Sequence, residues 1–307
     1  MDENSRNQKK SKKIIYDIII LILSLILIAS VAYMVKYFII DRKKVIDDSA
    51  NLKEMIVDDD YSKLLEINPG FVGWLTIPNT HVDLPVTKYS DNKFYLRHNF
   101  YKEYDFRGNP FIDYRSDVLS FSNNTVIYGH NCHDGTIFSD LEKYLDLDFY
   151  KESPVIEFNT IYTETKWKIF AVIVTSASED EDNGYVFPFN YPDMSGINYE
   201  GYIAELMKRT IYYTNVDVNE NDQFLTLQTC INKKDKVFGE YDYPKADTRL
   251  VIVARAVRFD EDEDVDVSLA YLNENPKFPN IFYKYNKLDN PYIDDEKWYA
   301  KEVINSD

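Results

Sequence analysis

The 307-residue sequence contains two cysteines and four histidines, and His130, Cys132 and His133 fall together in YGHNCHDG, residues 128–135. The second cysteine, Cys230, closes NDQFLTLQTC (221–230), an apolar-polar alternation that reads as a strand. Arg249 opens another such run, TRLVIVARAVR (248–258). His130 follows the apolar TVIY and precedes Asn131 and the turn-forming Asp134-Gly135, so it too belongs at a strand end where loops meet. A thiol, an imidazole and a guanidinium at three strand ends have the chemistry of acyl transfer. A thiolate attacks a carbonyl and an imidazolium protonates the departing amine. A guanidinium, charged at any working pH, stabilises the oxyanion that forms between them.

Each of these residues also has a plainer use. A lone cysteine behaves as a small apolar side chain, so Cys230 by itself fits a buried structural thiol as well as a nucleophile. Thr229 is β-branched in a strand and suits packing as well as helping to hold a substrate carbonyl. Cys132 lies two residues from His130, on the same side of an extended chain. Three uses stay open for it: a thiol lining the site, an oxidation partner for Cys230, and a metal ligand. A zinc site built from His130, Cys132, His133 and Cys230 has suitable donors but poor spacing, because adjacent ligands in HNCH point to alternate faces. His133 belongs in a solvated turn, and His81 and His98 read as surface or packing histidines.

The elements that must position these groups follow from periodicity. From Gly73 onward the apolar period is two: GWLTIP (73–78), HVDLPVT (81–87), NPFIDY (109–114), NTVIYGHN (124–131), PVIEFNT (154–160), KWKIFAVIVTS (166–176), QFLTLQTC (223–230) and TRLVIVARAVR (248–258). Eight short strands with polar turns predict a mainly β fold, a barrel or a sandwich. Two stretches with apolar residues three and four apart, TIFSDLEKYLD (136–146) and NYEGYIAELMKRTIYY (198–213), predict helices packed on it. Residues 45–68 have helical spacing with Asp48 or Ser49 as N-cap, a helical stalk packing on the barrel. FDEDEDVDV (259–267) is a charge run, and with the tail to 307 it reads as a solvated linker and irregular surface tail, with a lid or partner-docking segment as the alternative.

Residues 18–35 are uncharged and largely aliphatic, enough at 1.5 Å per residue to span most of a bilayer core. Small residues at Ser30-Val31-Ala32 fit a cleaved signal peptide, but the apolar stretch continues through Ile40, which favours an uncleaved single-pass anchor over 14–40. The basic segment 1–13 places the N-terminus in the cytoplasm and the rest outside. Net charge is −17, and residues 45–307 carry 26 basic against 48 acidic side chains, a balance of −22. So acidic a domain repels phosphate backbones, which excludes nucleic acid as a partner. Two cysteines cannot staple a fold of this size, so the core must stabilise it.

TLQTC resembles the TLxTC signature of sortases, and YGHN followed by DGTIF is similar to the histidine motif of their class B members. INPGFVGWLTIPNTHVDLPV (67–86), DNKFYLRHNF (91–100) and GNPFIDYRSD (108–117) extend the resemblance, which spans roughly residues 45–258. It implies a closed eight-stranded β-barrel over 69–258 with a helix before the seventh strand, matching the pattern at 198–213. It implies a membrane-bound cysteine transpeptidase needing no cofactor or metal. Such an enzyme cuts a C-terminal sorting motif of exported proteins, of NPxTN or PxTG type, and passes the acyl group to a peptidoglycan precursor or other amine. Cys230 is then the nucleophile, His130 the general acid and base, and Arg249 the oxyanion stabiliser, with Gln228, Thr229 and Asn131 as substrate contacts. Gln228 departs from the small hydroxyl residue common beside the class B nucleophile. Two rival readings stand beside it: a surface interaction module whose HNCH cluster holds a metal and whose tail recruits a partner, and a thiol hydrolase that uses the same three residues but releases motif-bearing proteins to water.

Overall fold

The computed structural model describes residues 3–117, 123–194, 196–231 and 247–299. The ends of the expected basic N-terminus and of the expected tail, residues 1–2 and 300–307, lie outside them. The chain divides into two units, before and after the Asp48–Ser49 bond. The first unit is helical: α1 (Glu3–Val35), a π-helical stretch (Lys36–Asp41) and the start of α2 (Arg42–Lys53). It contains a helix long and apolar enough to cross a membrane.

No helix begins at Asp48 or Ser49; both sit inside α2, where Lys43 and Asp47 form an i,i+4 ion pair at 3.1 Å. The stalk instead breaks later, at Asp58 and Asp59, whose φ of 52° and 58° is left-handed. A short helix α3 (Ser62–Ile67) follows, and Leu52, Tyr61 and Leu64 pack against Phe71, Trp74 and Phe100.

All eight period-two runs are strands: β1 (Phe71–Thr76), β2 (Asp83–Thr87), β3 (Phe111–Ile112), β4 (Asn124–Tyr128), β5 (Val155–Thr160), β6 (Lys166–Ser176), and, after a short β7 (Tyr212–Tyr213), β8 (Phe224–Cys230) and β9 (Thr248–Ala256). They close into a barrel in the order β1-β2-β3-β4-β8-β9-β6-β5, with β5 pairing back to β1. Of the two alternatives left by periodicity, the barrel is the one adopted.

Residues 136–146 are not one α-helix. A 3₁₀ stretch (Ser139–Leu145) gives way to α4 (Leu147–Glu152), because the Asp146 side chain accepts from Asp148 N and starts a new helix there. The helix α5 (Tyr199–Arg209) ends earlier than its apolar spacing implied. Thr210 turns extended, Ile211 N donates to Val172 O on the barrel, and the tyrosines beyond form β7, paired with β10 (Tyr271–Leu272).

Alternation in β8 sends Leu225, Leu227 and Thr229 to one face and Phe224, Thr226, Gln228 and Cys230 to the other. The second face is the outer one, since Phe224, Val251 and Val253 pack there with Tyr202 and Leu206 of α5. Residues 259–269 are solvated, with Phe259 and Leu269 exposed, but the segment after them is not merely a surface tail: Phe278, Phe282, Tyr283 and Trp298 are buried. A helix α6 (Asn280–Asn286) forms within it.

Candidate active site

Cys230 ends β8 and Arg249 is the second residue of β9; the two are direct cross-strand partners. Partners of this kind hold their Cβ atoms about 4.5–5.5 Å apart on one face. On the other flank of β8, parallel pairing sets Tyr128 against Gln228. Gly129 N donates to Gln228 O at 3.2 Å, which carries the register one residue past β4. His130 is two residues beyond Tyr128 and Cys230 two beyond Gln228. Imidazole, thiol and guanidinium therefore follow one another across three adjoining strand ends, with sulfur in the middle.

The loop that carries His130 is tied to β8 from both sides. Thr229 Oγ1 donates to Gly129 O at 2.8 Å, and Asn131 Nδ2 donates to Cys230 O at 2.9 Å. Thr229 is fully buried, so its hydroxyl serves the loop and not the open face. Gly129 is required by packing: a Cβ there would lie 2.5 Å from the Phe138 ring. Phe138 N in turn donates to His130 O at 3.0 Å as the loop folds back. The turn is anchored by a buried ion pair, Arg107 Nε to Asp134 Oδ2 at 2.7 Å, while Asp134 Oδ1 accepts from Thr136 N and Oγ1.

His130 is half-buried, and its Nε2 lies 3.0 Å from the Leu96 carbonyl. A carbonyl only accepts, so Nε2 carries the proton and Nδ1 is left as the acceptor. Burial holds the imidazolium below its ordinary 6.5; the Leu96 carbonyl opposes this, and the positive Arg97 and Arg249 add to it. The Arg249 guanidinium is held by Asp247 at 2.6 Å and donates to Thr248 O at 3.2 Å. Asp247 N is fixed by Glu181 Oε1 at 2.9 Å.

Cys132 is a free cysteine, buried beside Thr136 and Asp134 inside the histidine turn. Burial, with Asp134 next, pushes its thiol up to about 12, which leaves it protonated and unreactive at neutral pH. Among the described residues no three His, Cys, Asp or Glu side chains converge to hold a metal. His133 is exposed in the turn. His81 pairs with Asp140 at 2.8 Å, and His98 stacks on Phe94 with ring centroids 4.0 Å apart.

Gln228 is half-buried on the open face beside Tyr128. Tyr128 was not singled out in the sequence, although its two-residue offset from His130 puts it on the same face. Its hydroxyl donates to Asp113 Oδ2 at 2.8 Å and accepts from Asn190 Nδ2 at 3.4 Å. The Leu96 carbonyl, a backbone group, left no sequence signal at all.

A thiol flanked by an imidazole and a guanidinium, on the rigid ends of a closed eight-stranded barrel, defines a cysteine acyltransferase. The family model described as sortase domain matches residues 75–257. Sortase B of Listeria monocytogenes is 36% identical over 179 residues, which cover 58% of this chain and 70% of the relative. Sortase B of Staphylococcus aureus is 28% identical over 198 residues, covering 64% and 75%. The S. aureus sortase B–substrate complex superposes with a TM-score of 0.58 at 26% identity, covering 71% of this chain and 95% of that one. Sortase B from Bacillus anthracis in complex with AAEK1 gives 0.59 at 27% identity, covering 74% and 100%. This chain belongs to the sortase family, and within it to class B; it is a cysteine transpeptidase.

Proposed function

We propose that Cys230 is the nucleophile, His130 the general acid and base, and Arg249 the oxyanion stabiliser of a transpeptidation on exported proteins carrying a C-terminal sorting motif. The observation that carries this reading is the register that sets Cys230 opposite Arg249, with the His130 loop bonded to the Cys230 carbonyl on the other side.

In the first half-reaction the Cys230 proton passes to Nδ1 of the neutral imidazole, and the sulfur adds to the scissile carbonyl. The oxyanion faces the guanidinium of Arg249. Collapse breaks the C–N bond, the imidazolium gives its proton to the leaving amine, and a thioester on Cys230 remains. In the second, an incoming amine gives a proton to His130, attacks the thioester and releases the thiol. Gln228, Tyr128 and Asn131 lie beside Cys230 on the face where the peptide would bind, with Thr229 holding the loop from beneath. The acceptor is a peptidoglycan precursor or another cell-surface amine. Residues 14–40 anchor the chain in the cell membrane by one helix, residues 69–258 form the catalytic domain, and that domain stands outside the cell.

The test is mass spectrometry of the protein incubated with a small library of NPxTN-type and PxTG-type peptides, with and without amines. The expected result is a thioacyl adduct on Cys230, discharged by amine and absent in Cys230→Ala. Turnover that survives Cys230→Ala would refute the assignment.

A further inference from the structure

The family match ends at residue 257, yet the chain beyond it is built into the fold. Lys277 Nζ reaches Asp295 at 3.0 Å and Glu205 of α5 at 3.5 Å. Trp298 is buried in the same cluster as Tyr202 and Phe187, and its Nε1 donates to Asn198 O at 3.2 Å. Gly201 records how close this approach is. A glycine inside a helix is unfavourable, but a Cβ at Gly201 would fall 2.8 Å from both the Trp298 ring and the side-chain amide of the N-cap Asn198.

These contacts converge on one stretch of the connection between β6 and α5. Asn280 N donates to Asp182 Oδ1 at 2.8 Å, Lys297 Nζ to Asn183 O at 2.8 Å, and Tyr185 Oη to Trp298 O at 2.6 Å. The adjoining residue, Glu181, serves the site. One of its carboxylate oxygens accepts from Asp247 N at 2.9 Å, the other from the Ser176 hydroxyl, and Asp247 holds the Arg249 guanidinium at 2.6 Å. Farther along, Asn190 bonds the Tyr128 hydroxyl and its carbonyl accepts from Arg115 Nη2 at 3.0 Å. One loop and two carboxylates, those of Glu181 and Asp247, thus separate the C-terminal segment from the guanidinium.

We propose that residues 276–299 act as an intramolecular clasp on the connection 179–191, and through Glu181 and Asp247 set the position of Arg249 for the reaction. Trp298, Lys297 and Asp247 are positioning residues that touch no substrate. The inference rests on the role given to Arg249 above. It explains why a Lys-, Pro- and Tyr-rich segment beyond the barrel buries a tryptophan against α5.

The experiment uses the full chain and a fluorogenic peptide of NPxTN or PxTG type. Trp298→Ala is expected to lower kcat/KM by about tenfold or more, with most of the loss in kcat. Hydrogen exchange should accelerate at 179–191, and Trp298→Phe should recover most of the activity. In an Arg249→Met background the further loss from Trp298→Ala should shrink below about twofold, because both changes act on one group. Full turnover in Trp298→Ala, or equal losses in the two backgrounds, would overturn the clasp. If Trp298→Ala does not fold, Gly201→Ala and Lys297→Met carry the same expectations. Lys297→Met is the sharper of the two, since a Cβ at Gly201 would also meet the Asn198 side chain that caps α5. Normal turnover in Arg249→Met alone would remove the Arg249 assignment itself, a result distinct from a silent C-terminal segment.

Discussion

The pair Arg107–Asp134 offers the most direct way to move His130 without touching it. Its side chains are 3% and 0% exposed and 2.7 Å apart, and the second nearest carboxylate to Arg107, that of Asp105, is 3.6 Å away. Burial alone would weaken the guanidinium's hold on its proton; the Asp134 bond and charge, with Asp105, more than offset this. Asp134→Asn keeps the shape and an acceptor for Thr136 but removes the charge. Breaking a buried pair costs about 3–5 kcal/mol as an upper bound here, because Asp105 at 3.6 Å still faces the guanidinium. For a domain near this size that is a fall in melting temperature of roughly 6–20 °C. The histidine turn should loosen with it, so kcat/KM drops while the KM for peptide changes less. Cys132 gives an independent readout, because its thiol is suppressed first by burial and second by Asp134. In Asp134→Asn, native-state alkylation followed by peptide mapping should find Cys132 modified, where the parent protein protects it. A melting temperature within about two degrees of the parent, with Cys132 still protected, would refute the view that this ion pair holds the turn.

Two further outcomes follow from the same geometry. Gly129→Ala drives a methyl into the Phe138 ring and, as overpacking, should cost about 1–3 kcal/mol with loss of turnover; Phe138→Leu in the same chain should restore part of both, and failure of that rescue counts against steric conflict as the cause. The His130 imidazolium is held below 6.5, so on the general-base role proposed above the neutral form persists into mild acid, and the acid limb of kcat/KM should lie below pH 6.5. Arg249→Met removes one of the positive charges that lower this pKa and should shift the His130 titration upward; an NMR titration that places His130 above 6.5 in the parent protein would contradict the first statement, and one that finds no upward shift in Arg249→Met would contradict the second.

Much of the fold could be read from period alone, for a physical reason. Each barrel strand keeps one face on the interior, so the alternation in runs such as QFLTLQTC had to survive in the sequence. The C-terminal segment carries no such period. Its apolar anchors, Phe278, Phe282, Tyr283 and Trp298, are scattered among lysines and prolines; the first three pack on one another, and Trp298 is buried against α5, where its Nε1 reaches Asn198 O a hundred positions earlier. Tyr212 and Tyr213 misread as helix because the apolar spacing of α5 runs into a β-branched pair, Thr210-Ile211, that the barrel edge pulls extended. At the site, side-chain chemistry pointed to Cys230, His130 and Arg249, but the pairing register and the Leu96 carbonyl that sets the His130 tautomer are tertiary facts.

Chain direction explains why residues at 130, 230 and 249 meet. β4 and β8 run parallel, so the ends of both lie at one edge of the barrel, and a residue just past β4 reaches the last residue of β8. β9 runs antiparallel to β8, so its beginning, not its end, lies at that edge. A thiol closing one strand, an imidazole following another and a guanidinium opening a third are therefore demanded by the topology once the three strands adjoin. The register is just as strict. A slip of one residue between β8 and β9 would set Leu250 opposite Cys230 and turn Arg249 toward the barrel interior, where its charge would have no water. The fully buried Thr229, Leu250 and Val251 around the pair make that slip costly. The packing that stabilises the barrel thus also aims the guanidinium at the sulfur's side of the sheet.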